Sequence, residues 1–270
     1  MKACVIGHPI QHSKSPLIHN YWLNQNNIDG QYDAIDIAPE NLKDGIRQLL
    51  EKSYDGFNVT IPHKQNIIKL CDEIDDTARM IGAVNTVIIQ EGKLYGRNTD
   101  AFGFIQNIKT HQPDFDFKNK SALILGAGGA ARAIIYGLLQ EGIGRIIVVN
   151  RTIEKAEELR DLGLAQIEIK PWEKRNNILK NIDILVNSTS LGMTQKPALE
   201  IDLNGLPEEA LVCDIVYAPL MTDLLNAAKA RGNDIVTGIG MLLHQARPAF
   251  EAWTGTFPYV TPELEKLVLE

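Results

Sequence analysis

The sequence predicts an α/β protein of two domains, each built on a mostly parallel sheet. Three observations carry this. Apolar strand-like runs alternate with helical stretches almost from the first residue; the alternation breaks at a polar stretch, THQPDFDFKNK (110–120); and it restarts with an apolar strand running straight into glycines. Strict alternation calls for right-handed βαβ units. The 270 residues suffice for one or two domains with a sizeable core, and 44% hydrophobic with 23% charged residues is ordinary for a globular chain.

Taken in order, KACVIG (2–7) reads as a strand, SPLIHNYWLNQN (15–26) as a helix, YDAIDI (32–37) as a strand, ENLKDGIRQLLEK (40–52) as a helix and GFNVTI (56–61) as a strand. Pro62 suits a first helical position, so a short helix is expected from Pro62 to about Leu70. AVNTVIIQEGKLYGRN (83–98) reads as an antiparallel hairpin turning at Glu91-Gly92 on a sheet edge. AFGFIQNIK (101–109) then reads as a helix. Beyond the polar connection, SALIL (121–125) and GRIIVVN (144–150), AQIEIK (165–170), DILVNST (183–189), LVCDIV (211–216) and NDIVTG (233–238) give six strands with helical intervals, a doubly wound sheet. The last stretches, 239–255 and 261–269, are helical, and periodicity leaves open which domain they pack on.

The net charge of −7 and pI near 5.4, without any long Lys/Arg run, remove the electrostatic footprint of a nucleic-acid or anionic-membrane binder and make a small molecule the expected partner. Three cysteines, Cys4, Cys71 and Cys213, are odd in number and flanked by apolar residues, which fits reduced buried thiols and no metal. No signal-type segment opens the chain and no apolar run approaches the ~18 residues of a membrane span, so the expected location is cytoplasmic, as a monomer or homodimer.

Two regions carry chemistry. GAGGAA (126–131) fits G-x-G-x-x-A between a strand and a helix: the first glycine permits the turn, the second lets backbone N–H groups approach a pyrophosphate, and Ala131 permits close packing. A turn kept only for packing is the competing reading. The next strand ends at Asn150, where an NAD site would present a carboxylate to the ribose, but continues as Arg151 and Thr152 with Lys155 beyond. A guanidinium holds a 2′-phosphate that a carboxylate would repel, so NADP is favoured over NAD, against the reading of Arg151 as a solvated arginine.

In the first domain, GHPIQHSKSP (7–16) joins strand to helix with two hydroxyls. Ser15 reads as an N-cap ahead of Pro16, whereas Ser13 has no such structural role. Asn58 and Thr60 end the third strand, Asn85 opens the hairpin and Asn98-Thr99-Asp100 closes it. Strand ends in open α/β sheets collect ligands, and this set suits a hydroxyl-rich anion. Lys64 is expected in a helix's first turn, where unpaired N–H groups already make the potential positive. Either it is a solvated lysine or something anionic meets it. Asp100 reads as an N-cap, and the fields of the two helix termini favour an ionised Asp100 and disfavour a protonated Lys64, so a shared cleft would suit them to proton transfer.

With these residues in view the chain resembles the shikimate dehydrogenase family over nearly its whole length. The matching motifs are G-x-P-I-x-H-S-x-S-P at 7–16, N-V-T-I-P-H-K at 58–64, G-A-V-N-T at 82–86, N-T-D at 98–100, GAGGAA at 126–131, NRT at 150–152, N-S-T-S-L-G-M at 187–193, D-I-V-Y at 214–217 and G-M-L-L-H-Q-A at 240–246. Ala101, where the family often has Gly, is a small departure. The resemblance implies reversible reduction of 3-dehydroshikimate by NADPH in aromatic amino-acid biosynthesis, with Lys64 and Asp100 handling the proton at the C3 oxygen. It assigns Ser13, Ser15, Thr60, Asn85, Tyr217 and Gln245, with Lys64 and Asp100, to the substrate. To the cofactor it assigns Gly126, Ala127, Gly128, Gly129, Ala130, Asn150, Arg151, Thr152, Lys155, Ile215, Gly238 and Met241, and more weakly Asp76. It implies a substrate domain of 1–101 plus 239–270, to which the terminal helices return, and a Rossmann domain of 102–238. Quinate/shikimate dehydrogenases often carry an acidic residue near the position of Thr152 or relax the serine pair, and a non-catalytic NADPH-binding regulator would lose Lys64 or Asp100; the sequence shows none of these changes.

Overall fold

The structure, a computed structural model, describes residues 1–162 and 166–270. Two compact units make up the chain, one of Met1–Asp100 with Leu243–Glu270, the other of Ala101–Leu242.

The first unit runs β1 (Lys2–Gly7), α1 (Ser15–Gln25), β2 (Gln31–Asp36), α2 (Leu42–Glu51), β3 (Gly56–Val59), β4 (Glu73–Ile74), α3 (Asp76–Ile81), β5 (Thr86–Gln90) and β6 (Lys93–Arg97). Its sheet has the order β2-β1-β3-β5-β6-β4. β1 pairs in parallel with β2 and β3, and β5 is antiparallel to both β3 and β6. The hairpin turns at Glu91 and Gly92, both with positive φ, which matches the twist of the flanking strands. The hairpin is not the sheet's edge as expected: two-residue β4 pairs in parallel with β6 and covers it, a strand too short to leave a periodic signal. On α2, Leu42, Ile46 and Leu49 recur at helical spacing and pack with Cys4, Ile6, Phe57 and Val59 of the sheet.

In the second unit α4 (Asp100–His111, its first residue in the other unit) leads to β7 (Ser121–Leu125), α5 (Gly129–Gln140), β8 (Arg145–Asn150), α6 (Ile153–Glu157), β9 (Ile167–Pro171), β10 (Ile184–Asn187), β11 (Leu211–Asp214), α7 (Asp223–Ala230) and β12 (Ile235–Val236). The order β12-β11-β10-β7-β8-β9 is doubly wound, with all pairs parallel. Alternate residues of each strand enter opposite cores: Ile124, Val148 and Val186 pack with Ile134 and Leu138 of α5, whereas Leu125, Val149 and Leu185 pack with Leu224 and Leu225 of α7. Burial on both faces explains the unbroken apolar runs. The strand expected from residue 165 begins at Ile167, Ala165 itself lying outside the described residues. Helical intervals are fewer than expected, since between β9 and β11 the connections hold only 3₁₀ turns.

Helix α8 (Ile239–Thr254) leaves the second unit after Leu242, and α9 (Pro262–Leu269) ends the chain. Within the first unit the returning segment is tied down by Trp22 Nε1 donating to Tyr259 O at 3.0 Å, by a Tyr21–Thr261 hydroxyl pair at 3.1 Å and by Trp253 Nε1 donating to Val87 O at 3.2 Å.

Candidate active site

Lys64 and Asp100 meet in the first unit. Lys64 Nζ donates to Asp100 Oδ2 at 2.5 Å, and Asn85 Nδ2 donates to Asp100 Oδ1 at 2.8 Å. The Asp100 side chain is 8% exposed and that of Lys64 23%, so the amine is the partner that reaches outward. Among the described residues Asp100 engages one of its three N–H donors. Asp100 is the first residue of α4 rather than its N-cap, and its own N–H donates to Asn98 Oδ1 at 3.0 Å. It still occupies the N-terminal end of a helix.

Lys64 arrives differently from the expectation. Pro62 does not start a helix: the Ile61-Pro62 peptide is cis, and His63 N donates to Thr60 O at 2.9 Å, closing a turn with proline third. The 3₁₀ helix that follows begins only at Asn66, so Lys64 lies in the turn ahead of it and the opposing helix field inferred from sequence does not apply. The turn is anchored by His63, fully buried, whose Nε2 lies 2.6 Å from Ile37 O, and by Val84 N donating to Lys64 O at 2.8 Å. Thr60 stands beside Gly7, where a Cβ would come 2.5 Å from the threonine methyl.

The serines also exchange roles. Ser15 is the first residue of α1 and does not cap it; instead Ser13 Oγ accepts from Ser15 N at 3.3 Å. Gln245, on α8, brings Oε1 to 3.2 Å from Asn85 Nδ2. Thr99 completes this group, its N–H donating to Asn85 Oδ1 at 2.9 Å. Ser13, Ser15, Thr60, Lys64, Asn85, Asp100 and Gln245 thus all belong to the first unit, six of them at strand ends, helix starts and turns that the sheet brings together. Tyr217 belongs to the second unit, half-buried after β11, with burial pushing its pKa up.

In the second unit, Gly126 turns at φ +103°, and a Cβ there would strike Thr189 and Ser188 at 2.8 and 3.0 Å. Gly128 is the N-cap of α5 with no side-chain cap, and Cβ positions at Gly128 and Gly129 meet nothing within 4 Å among the described residues. An uncapped helix N-terminus in an open glycine cradle is the fit a pyrophosphate needs; Ala127 and Ala130 flank it. Asn150 Nδ2 donates to Thr152 O at 2.7 Å, shaping the turn that leaves Arg151 and Lys155 exposed. Gly238 lies directly on Ile215, whose carbonyl a Cβ would meet at 2.4 Å, while Met241 is buried in the α5-side core. Buried Asp214, its pKa raised by burial, accepts from Asn187 Nδ2, Val216 N and Thr222 Oγ1 and so locks the ends of β10 and β11. Asp76 is in the first unit, 95% exposed and paired with Arg79 at 2.5 Å.

A doubly wound dinucleotide-type unit joined to an α/β unit carrying an amine–carboxylate pair defines a two-domain α/β dehydrogenase. The comparisons narrow the class. The family model described as shikimate dehydrogenase substrate binding domain matches residues 5–87, and that described as shikimate / quinate 5-dehydrogenase matches residues 108–215. The chain is 47% identical to shikimate dehydrogenase (NADP(+)) of Paramagnetospirillum magneticum, over 99% of this chain and 97% of that one. Its fold is similar to that of the Thermus thermophilus shikimate 5-dehydrogenase in complex with NADP(H) and shikimate (TM-score 0.88, 36% identity, 99% and 98% coverage). It is also similar to the Corynebacterium glutamicum quinate dehydrogenase in complex with NAD (TM-score 0.92, 30% identity, 100% and 98% coverage). The chain belongs to the shikimate dehydrogenase family.

Proposed function

We propose that the chain catalyses the reversible NADPH-dependent reduction of 3-dehydroshikimate to shikimate, a step of aromatic amino-acid biosynthesis. The observation that carries the reading is the Lys64–Asp100–Asn85 arrangement, in a chain 47% identical to an NADP-dependent shikimate dehydrogenase. Both oxygens of Asp100 are occupied by donors, whereas Lys64 keeps N–H groups toward the outside. In the reduction Lys64 therefore gives a proton to the C3 oxygen as that oxygen gains negative charge, and Asp100 holds the ammonium in place. Ser13, Ser15, Thr60, Asn85, Gln245 and Tyr217 bind the carboxylate and hydroxyls of the substrate. Gly126 to Ala130 hold the pyrophosphate, Asn150, Arg151, Thr152 and Lys155 the adenosine phosphate, and Ile215, Gly238 and Met241 the nicotinamide end, with Asp76 a weaker candidate. NADPH, when bound, supplies the hydride. A cytoplasmic location, as a monomer or homodimer, accompanies this reading, and no helix among the described residues is long and apolar enough to cross a membrane.

The test follows nicotinamide absorbance with shikimate and with quinate, each with NADP and with NAD. Shikimate with NADP should give the highest kcat/KM. Equal or better use of quinate with NAD would move the chain to the quinate branch of its family.

A further inference from the structure

Behind Asn85 the first unit buries a row of polar side chains that the proposed chemistry does not use. Tyr32 is 1% exposed, Asn58 5% and Thr86 0%, and they lie on β2, β3 and β5, with β1 between the first two strands. The direction of every hydrogen bond among them is settled by groups that can act in only one way. Thr99 N–H, which can only donate, lies 2.9 Å from the Asn85 side chain, so the end of the amide facing it is Oδ1 and the end facing Asp100 is Nδ2. Asn85 O, which can only accept, lies 3.1 Å from the Asn58 side chain, so that end of Asn58 is Nδ2 and the end facing Tyr32 is Oδ1.

The Thr86 hydroxyl sits between these two fixed amides. Asn58 Nδ2 donates to Thr86 Oγ1 at 3.0 Å, which leaves the hydroxyl proton to go to Asn85 Oδ1 at 3.1 Å. Tyr32 Oη donates to Asn58 Oδ1 at 2.6 Å. The row therefore reads in one direction, Tyr32 to Asn58 to Thr86 to Asn85 to Asp100, each group donating to the next. The Tyr32 ring is held by His19 stacked on it at 4.1 Å with an interplanar angle of 7°.

We propose that Tyr32, Asn58 and Thr86 are positioning residues for the reaction: their one-way hydrogen-bond chain acts with Thr99 N–H to fix the Asn85 amide with its NH₂ toward Asp100, and so fixes the carboxylate that holds Lys64. A reversed Asn85 amide would set an oxygen against a carboxylate oxygen, and the thermodynamic reason for the chain is to exclude that state. The inference rests on the assignment of Lys64 and Asp100 to proton transfer.

The test uses the full chain with its cofactor and the alcohol on which the wild type is fastest. Thr86→Val keeps the shape and removes the hydroxyl; Thr86→Ser keeps the hydroxyl and trims the shape. Thr86→Val should lower kcat about tenfold with KM for NADP unchanged, and Thr86→Ser should recover most of kcat. Tyr32→Phe should lower kcat severalfold without moving KM for NADP, and it decides the matter if neither Thr86 variant folds. A kcat for Thr86→Val within about twofold of wild type, equal losses in the Val and Ser variants, or an unchanged Tyr32→Phe would overturn the proposal. A wild type inactive on shikimate would instead overturn the assigned substrate, and variant-to-wild-type ratios on its preferred alcohol would still judge the chain of positioning residues.

Discussion

His19 gives a quantitative test of the core behind the site. Its ring is wholly buried among Tyr32, Trp22, Phe250 and Trp253, and neither ring nitrogen has a hydrogen-bond partner among the described residues. Burial pushes its pKa down to about 3, the Asn58 side chain pulling the other way. An unfolded histidine titrates near ~6.5, so between those two values the unfolded chain binds a proton that the folded chain refuses. This contribution is fully present above the unfolded value and is lost progressively as pH falls toward the folded one. From these two values linkage gives a loss of about 2 kcal/mol between pH 7 and pH 5 from this residue alone. His19→Leu, close in volume, removes the titration and keeps the cluster filled. Urea unfolding followed by tryptophan fluorescence reports this region through Trp22 and Trp253. Going from pH 7 to pH 5, wild type should lose about 2 kcal/mol more than the variant, a midpoint drop larger by roughly 1 M at a slope of about 2 kcal/mol per molar. Equal losses in the two proteins would refute the claim that the folded state holds this imidazole neutral.

Three further outcomes are expected. Lys64→Ala should lower kcat by ~10²-fold or more with little change in KM, measured at steady state, because it removes the proposed proton partner of the substrate oxygen. Gly128→Ala meets no atom within 4 Å and sits at φ −84°, so its Tm should equal that of wild type while NADPH affinity, measured by fluorescence titration, falls at least about tenfold. Arg151→Ala should weaken NADPH about tenfold and leave NADH unchanged, measured the same way, since only the 2′-phosphate would engage the guanidinium.

Much of the architecture was legible because burial leaves a pattern. Strands covered on both faces, such as Ile146–Val149, must be apolar throughout, and helices that lie on a sheet, such as Leu42–Glu51, must repeat their apolar residues at 3.6. The glycine turn was legible for a local reason: Gly126 has φ +103°, which few other residues tolerate.

What failed were inferences that needed a partner distant in sequence. Pro62 reads locally as a helix start, yet its cis peptide and the bond from His63 N to Thr60 O make a turn, because β1 and Ile37 hold that segment from outside. Ser15 reads locally as a cap, yet it is the first residue of α1, and its N–H donates to Ser13 Oγ. The sequence by itself determined which residue types stand at the strand ends and where a glycine turn leads into a helix, since both follow from short-range sterics and period. Only the tertiary structure decided that Asn85 donates to Asp100 and that Lys64 pairs with it 36 residues away, because hydrogen-bond direction depends on every neighbour that can solely give or solely receive.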